Sequence, residues 1–172
     1  MAKTAKSTKT AKSKVSGSRK PSEGERAPSF DLAADGGRRI ALKDLGGKIV
    51  VLYFYPKDDT SGCTKEAVDF TAEAKSFAKA GAVIVGVSRD SVERHDKFKA
   101  KYGLSVDLAS DPDGKVCAAY GVWVEKSLYG RKFMGIERST FLIGREGRIV
   151  RAWRKVSITG HIAEVLEAVR LM

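Results

Sequence analysis

The chain has 172 residues, of which 42% are hydrophobic, and its formal net charge at pH 7 is +11. This length suits one domain with a sizeable core, or two domains only if both are small. The longest apolar run, residues 49–55, is far too short to span a membrane as a helix, and no apolar stretch before Pro28 indicates a secretory signal. Two cysteines far apart in sequence do not form a disulfide scaffold. Composition therefore predicts a cytoplasmic protein without a membrane segment.

The basic charge is concentrated in an N-terminal tail, residues 1–22, which carries seven of the eleven net positive charges and no acidic residue. Lysine recurs at every third position from Lys3 to Lys12, and Val15 is the only large apolar residue after Met1. We expect such a segment to be disordered, and we place the boundary of a single folded domain between residues 1–23 and 24–172. Four interpretations of the tail stay open: a solvating segment, a weak contact with nucleic acid by counterion release, an organelle presequence, and contact with an anionic membrane surface, for which no aromatic or aliphatic anchor is present.

The first predicted elements are a hairpin and a buried strand. Short apolar segments flank the turn sequence Asp35-Gly-Gly37, which indicates a hairpin. Residues 48–55 form a continuous β-branched and aromatic run, typical of a strand that is buried on both faces. A helix with apolar residues at helical spacing follows and is predicted to end at Gly81, before a second buried strand at residues 82–88.

The second half continues the alternation and then changes it. A charged helix at residues 91–102 is followed by a strand at residues 106–110 and a short helix that contains Cys117. A hairpin then turns at residues 144–147, and a last helix covers residues 161–170. This order predicts an α/β protein with a mixed central sheet flanked by helices, and with N-terminal and late β-hairpins. A thioredoxin-like fold suits it; a flavodoxin-like sheet is the alternative, against which the late hairpin counts.

Cys63 is the candidate reactive group. It is predicted to lie in the first turn of the helix after the first buried strand, with Thr60 or Ser61 as N-cap. Unpaired backbone N–H groups and the positive end of the helix dipole favour a thiolate at this position. Pro56 helps to end the strand, and Gly62 removes side-chain bulk beside the sulfur.

Acidic neighbours would disfavour the thiolate, so we expect Asp58 and Asp59 to face solvent and a cation to come from elsewhere in the chain. Cys117, among small apolar residues, has the pattern of a buried structural cysteine, whereas the polar flanks of Cys63 do not fit that pattern. His95 and His161 lie on separate predicted helices without metal-ligand spacing, and we expect both at the surface. No cofactor or metal site is predicted.

The segment Pro56-Lys-Asp-Asp-Thr-Ser-Gly-Cys63 resembles the P-x-x-x-T-x-x-C motif of the peroxiredoxins, thiol peroxidases of thioredoxin-like fold. Other segments resemble one branch, the bacterioferritin comigratory protein or peroxiredoxin Q group. They are Tyr53-Phe-Tyr-Pro-Lys-Asp58, Gly86-Val-Ser-Arg-Asp-Ser91, Ser110-Asp-Pro-Asp-Gly-Lys115, Tyr120-Gly-Val-Trp123, Gly135-Ile-Glu-Arg-Ser-Thr-Phe-Leu-Ile143 and Trp153-Arg-Lys-Val156. The resemblance runs from about Gly24 to the C-terminus and excludes the tail.

The resemblance implies a role for each matching residue. Cys63 corresponds to the peroxidatic cysteine, whose thiolate attacks a peroxide and becomes a sulfenic acid. Thr60 corresponds to the residue whose hydroxyl contacts thiolate and peroxide, and Arg138 to the arginine that supplies the missing cation. Pro56 is expected to shield the site. The implied substrates are hydrogen peroxide and organic hydroperoxides.

The chain departs from the group at the resolving cysteine. Val68 stands where many members carry that cysteine, and residues 98–101, where others carry it, contain no thiol. Cys117 matches neither position and could act only after local unfolding. We therefore expect a one-cysteine cycle with an external reductant of thioredoxin or glutathione type, in a monomer or weak dimer. The alternative function is a polyanion-associated protein that acts through the lysine-rich tail.

Overall fold

A seven-stranded mixed sheet forms the centre of the computed structural model, which describes residues 19–172. The described residues contain nine strands, of which all but β6 and β7 belong to this sheet. They are β1 (Asp31–Ala34), β2 (Arg38–Ala41), β3 (Ile49–Phe54), β4 (Ala82–Ser88), β5 (Asp107–Ser110), β6 (Trp123–Leu128), β7 (Arg131–Ile136), β8 (Ser139–Ile143) and β9 (Ile149–Trp153). The sheet order is β2-β1-β5-β4-β3-β8-β9. Strands β3, β4 and β5 are parallel, and every other pairing in the sheet is antiparallel. The predicted mixed sheet is confirmed.

Helices cover both faces of this sheet. They are α1 (Ser61–Ala72), α2 (Ala74–Lys79), α3 (Val92–Tyr102), α4 (Lys115–Ala119) and α5 (His161–Arg170). The prediction of one continuous helix up to Gly81 is wrong, because the chain bends at Glu73, whose backbone φ is −101°. The apolar spacing continues across this bend, since α1 and α2 bury Phe70 and Phe77 in the same cluster. Periodicity alone therefore did not reveal the break.

Strand β3 divides the core into two clusters. All six of its residues are buried, as the sequence predicted. Val51 and Tyr53 face a cluster completed by α1, α2 and α5, whereas Leu52 and Phe54 face a second cluster on the other side of the sheet. Cys63 belongs to the first cluster and Cys117 to the second.

Both predicted hairpins are present. Strands β1 and β2 pair from Asp31↔Ala41 to Ala34↔Arg38, and β8 pairs with β9 around the turn at residues 144–147. A third antiparallel pair, β6–β7, forms a separate two-stranded ribbon that the sequence did not reveal. Its residues are mostly exposed, so it lacks the apolar alternation by which strands are recognised.

Residues 19–23, assigned to the tail by sequence, contact the folded domain. The guanidinium of Arg154 donates to the carbonyl oxygen of Pro21 at 3.0 Å, and Arg19 pairs with Glu25. The carboxylate of Glu23 accepts from the backbone N–H of Ala152 at 3.1 Å. These contacts join residues 19–23 to the domain, and the predicted disorder of residues 1–18 lies outside the described part of the chain. Within that part, no helix has the length and apolar content needed to cross a membrane.

Candidate active site

Cys63 is the third residue of α1 and lies in the first turn, as predicted. Thr60 is the N-cap in an extended conformation, and the N–H of Thr64 donates to its carbonyl oxygen at 2.8 Å. Cys63 is only 2% exposed and packs in the cluster that contains Tyr53 and Phe70. The expectation that Cys63 does not fit the pattern of a buried cysteine is therefore wrong, and burial does not separate it from Cys117.

Arg138 supplies the cation that the sequence required. It directly precedes β8, whose Ser139 pairs with Phe54 at the end of β3, and this register places Arg138 beside the start of α1. Its Nη2 donates to Cys63 Sγ at 3.3 Å, and its Nη1 donates to Glu66 Oε1 at 2.9 Å. The guanidinium is largely buried, with 16% of the side chain exposed, so solvent screens its charge only in part.

Gly62 leaves the space that Arg138 occupies. A Cβ at position 62 would lie 3.2 Å from Arg138 Nη2 and 3.3 Å from Ile158 Cδ1, both tighter than ordinary contacts. The sequence analysis expected Gly62 to remove side-chain bulk beside the sulfur. In the structure, the absence of a side chain at Gly62 makes room for the guanidinium of Arg138.

Residues 55–60 connect β3 to α1 and are called the reactive turn. Its Pro56 and Thr60 are exposed. The hydroxyl of Thr60 donates to the carbonyl oxygen of Lys57 at 2.9 Å and makes no capping bond to α1. The structure therefore brings Arg138, but not the Thr60 hydroxyl, into hydrogen-bond contact with the sulfur. The hydroxyl oxygen keeps its capacity to accept a hydrogen bond.

Asp58 is buried in a polar chain behind the reactive turn, which contradicts its predicted place in solvent; Asp59 is exposed as expected. The hydroxyl of Tyr55 donates to Asp58 Oδ1 at 2.5 Å, and the other carboxylate oxygen lies 2.6 Å from Nδ1 of His95. Nε2 of His95 lies 3.0 Å from the carbonyl oxygen of Ala109. A carbonyl oxygen only accepts, so Nε2 carries a hydrogen, and a second proton lies between Nδ1 and Asp58. The turn is thereby tied to α3 and β5.

His161 is also buried, so the prediction that both histidines are surface residues is wrong. Its Nε2 lies 2.7 Å from Oγ1 of Thr140, and its ring packs edge-on against Trp153. Burial lowers the pKa of His161 from 6.5 to about 4, and the nearby charge of Arg138 acts in the same direction. His161 is therefore neutral near pH 7. Among residues 19–172, no group of three or more His, Cys, Asp or Glu side chains has the geometry of a metal site.

Cys117 lies in α4, on the far side of the sheet from Cys63. Its backbone N–H donates to Oδ2 of Asp111 at 2.8 Å. Burial raises the pKa of the Cys117 thiol well above its ordinary value, and the Asp111 carboxylate adds to the rise. The protonated thiol is therefore the stable form, which fits the buried structural cysteine that the sequence indicated.

Known proteins that are similar to this chain identify its family. The model of the AhpC/TSA family matches residues 24–152. The putative peroxiredoxin bcp of Coxiella burnetii is 53% identical over 143 residues, 83% of this chain and 95% of that protein. The peroxiredoxin Bcp of Bacillus subtilis is 50% identical over 149 residues, 87% of this chain and 95% of that protein. The solved structure of Xanthomonas campestris peroxiredoxin Q superposes with a TM-score of 0.79 at 50% identity, covering 83% of this chain and 90% of that one.

The chain belongs to the AhpC/TSA family. It is a peroxiredoxin of the Bcp or peroxiredoxin Q group, a thiol-dependent peroxidase with a thioredoxin-like fold. The resemblance, fold class and enzyme class predicted from sequence are confirmed. The alternative function, a polyanion-associated protein, receives no support from these relatives.

Two residues of this peroxiredoxin site were missed by sequence reasoning. The sequence analysis assigned no role to Glu66, although its spacing of three from Cys63 places both on one helix face. Lys126 lies on the β6–β7 ribbon, within electrostatic reach of the site. Burial lowers the pKa of Lys126, and Arg138 adds to the decrease while Cys63 opposes it. No local pattern could have placed Lys126 here, because the ribbon itself was not recognised.

A groove of about 470 Å³ adjoins the peroxiredoxin site. Three segments line it: Pro56 and Lys57 before α1, the polar residues Arg89, Asp90, Ser91 and Arg94 around the start of α3, and residues of the β6–β7 ribbon. The apolar part of its lining consists of Pro56, Trp123, Phe133, Met134 and Ile136. Cys63 is not among the residues that line the groove.

Proposed function

We propose that Cys63 is the peroxidatic cysteine of this peroxiredoxin and that Arg138 stabilises its thiolate. The observation that carries the proposal is the contact of 3.3 Å between Arg138 Nη2 and Cys63 Sγ, made in the first turn of a helix. A positive, largely buried guanidinium and the helix N-terminus both favour a negative sulfur. Gly62 supports the same assignment by leaving room for the guanidinium.

In the proposed step the thiolate attacks one oxygen of the peroxide. The S–O bond forms, the O–O bond breaks, and sulfur is oxidised to a sulfenic acid while the departing oxygen takes a proton. Arg138 can stabilise the charge that develops on the departing oxygen. We assign Thr60 as acceptor of the hydrogen bond from the peroxide O–H, because its own proton is committed to Lys57. Pro56 closes the exposed side of the turn.

Organic hydroperoxides and hydrogen peroxide are the proposed substrates. The bacterioferritin comigratory protein of Xanthomonas campestris, studied for its alkyl peroxide reduction activity, is 49% identical to this chain with a TM-score of 0.79. The groove beside Pro56 supports the organic class, since its apolar lining suits an alkyl group.

We propose a one-cysteine cycle in which an external thiol of thioredoxin or glutathione type reduces the sulfenic acid. The chain has two cysteines, and in the structure the central sheet separates them. A disulfide requires Cα atoms within about 7 Å, which two residues on opposite faces of an intact sheet do not reach. Cys117 as resolver would therefore need the sheet to open.

Replacement of each cysteine tests this function. We expect Cys63→Ser to abolish peroxide consumption and Cys117→Ser to retain it. Mass spectrometry after one equivalent of peroxide, with a sulfenic acid trap, should find the label on Cys63. Undiminished turnover by Cys63→Ser would refute the assignment, and an internal Cys63–Cys117 bridge would refute the one-cysteine cycle.

We also propose that the enzyme acts in a cytoplasm as a monomer or weak dimer, and that residues 1–22 make weak contact with nucleic acid. The seven positive charges of this segment support the contact. Deletion of residues 1–22 should lower retention on DNA and flatten its dependence on salt. An unchanged salt slope would refute the contact without touching the peroxidase assignment.

A further inference from the structure

Arg138 holds two acidic groups at once. Its Nη1 donates to Glu66 Oε1 at 2.9 Å and its Nη2 donates to Cys63 Sγ at 3.3 Å. Cys63 and Glu66 are three residues apart on α1 and reach the guanidinium from the same helix face. Two groups that can each become negative therefore share one counterion.

Glu66 is fully buried, and its second oxygen, Oε2, has no hydrogen-bond partner within residues 19–172. Besides Arg138, the titratable groups that act on it are Asp69 on its own helix and Tyr53 on β3. Neither supplies positive charge. A buried carboxylate with one unpartnered oxygen is unfavourable, because solvent does not replace the missing bond. Burial raises the pKa of Glu66 from 4.5 to about 7, against the effect of Arg138.

The other groups within electrostatic reach of Arg138 do not change this balance. Lys126 is a cation, but it is only partly buried and makes no ion pair with Glu66 or Cys63 among the contacts of the described chain. His161 is neutral near pH 7, because its pKa is lowered to about 4. One guanidinium thus faces two acidic groups and donates a hydrogen bond to each of them.

We propose that Cys63 and Glu66 carry one negative charge between them, so that Glu66 takes up a proton when the thiolate forms and releases it when the thiolate is oxidised. This inference rests on the proposed function, in which Cys63 is the peroxidatic residue. Glu66 does not touch the peroxide; it acts through Arg138 and is a positioning residue that also balances charge.

The step conserves atoms and charge. The Cys63 thiolate, a hydroperoxide ROOH and protonated Glu66 give the Cys63 sulfenic acid, the alcohol ROH and the Glu66 carboxylate. Sulfur loses two electrons to the O–O bond, the departing oxygen takes up one proton and Glu66 loses one, so that no net proton is drawn from solvent. Because the sulfenic acid is neutral, Arg138 then has the carboxylate as its counterion. The guanidinium is paired before and after the reaction, so its position is kept.

Infrared difference spectroscopy on the intact, reduced protein tests the exchange directly. One equivalent of an alkyl hydroperoxide is added near neutral pH, where ultraviolet absorbance first verifies that the thiolate is present. We expect a carboxylic acid C=O band to disappear and a carboxylate band to appear as the sulfenic acid forms. Glu66→Gln should lack this change, whereas Glu146→Gln, at an exposed position remote from the site, should retain it.

Proton uptake is a second measurement. It would not depend on Glu66 if the role of that residue were only structural. In weakly buffered solution with an indicator dye, the wild type should take up almost no proton from solvent during this oxidation. Glu66→Gln should take up about one proton for each thiolate consumed, because its amide has none to give. Uptake of about one proton by the wild type, with no loss of the C=O band, would overturn the inference. Absence of a sulfenic acid on Cys63 would instead overturn the proposed function.

Discussion

Cys63 and Cys117 occupy equivalent local positions on opposite faces of the central sheet. Each is the third residue of a helix that follows a parallel strand and its loop, and each is nearly inaccessible to solvent. They differ in the nearest charged side chain, which is the guanidinium of Arg138 for Cys63 and the carboxylate of Asp111 for Cys117. Helix position and burial therefore do not distinguish the two thiols, whereas the sign of the neighbouring charge does.

Removal of the cation should have the largest effect on this difference. In Arg138→Met, we expect the rate of sulfenic acid formation at Cys63 to fall by about 10²–10³-fold, because both the thiolate and the departing oxygen lose their positive partner. Stopped-flow measurement with an alkyl hydroperoxide gives the rate. Arg145→Met, which removes an exposed guanidinium, is the matched control. A change of less than about twofold in Arg138→Met would show that the charge does not distinguish the cysteines.

Displacement of the cation should have a smaller effect. In Gly62→Ala the new Cβ would press on Arg138 Nη2 and Ile158 Cδ1, so we expect the guanidinium to move and the same rate to fall about tenfold. The free energy of unfolding should not fall in parallel, because alanine favours a helix over glycine by up to about 1 kcal/mol. Ser61→Ala is the control on the same turn. Equal loss of rate and stability would instead indicate general disruption.

The smallest predicted effects are on how the free energy of unfolding depends on pH. Glu66 and His161, on the side of the sheet that holds Cys63, contribute to this dependence between pH 4 and 7, whereas Cys117 does not. The pKa of Glu66 is raised to about 7, so its contribution favours folding at low pH and is lost as pH rises from 4.5 to about 7. The pKa of His161 is lowered to about 4, so its contribution is present above pH 6.5 and is lost as pH falls towards 4. Each contribution to the free energy of unfolding amounts to about 3 kcal/mol. The two change in opposite directions with pH, so in the wild type they largely cancel.

Single variants should separate these two contributions. Denaturant unfolding between pH 4 and 7 should show stability rising with pH in Glu66→Gln and falling with pH in His161→Gln. Cys117→Ser should leave the profile of the wild type unchanged, because the Cys117 thiol does not titrate in this range. Parallel profiles for the two single variants would contradict the assigned pKa directions.

The sequence predicted those parts of the fold whose signal is local. Strand β3, the two hairpins around residues 35–37 and 144–147, and helix α5 each follow from the burial pattern or turn residues of one short segment. The β6–β7 ribbon was missed because it packs little of its surface against the core. The bend at Glu73 was missed because the same apolar spacing runs through both helices.

The site was predictable only in part, for a related reason. Position in the helix and the family motif both predict Cys63 as the peroxidatic residue, and the motif alone predicts Arg138 as its cation. Asp58 and His95 are 37 residues apart, and each looks like a solvated surface group until the fold pairs them. Glu66 carries no motif signal that we used, since its importance depends on a guanidinium that is 72 residues away. Charges that neutralise each other across the fold leave no trace in local composition.

The hydrogen bond between Asp58 and His95 connects helix α3 to the turn that precedes Cys63. Asp58 belongs to the turn that leads into α1, while His95 is anchored on the opposite side by the carbonyl oxygen of Ala109. If α3 moved outward, it would either carry the buried Asp58 side chain with it or separate Asp58 from His95. Either change would alter the turn ahead of Cys63, so the position of α3 and the conformation of this turn are linked through the contact between Asp58 and His95.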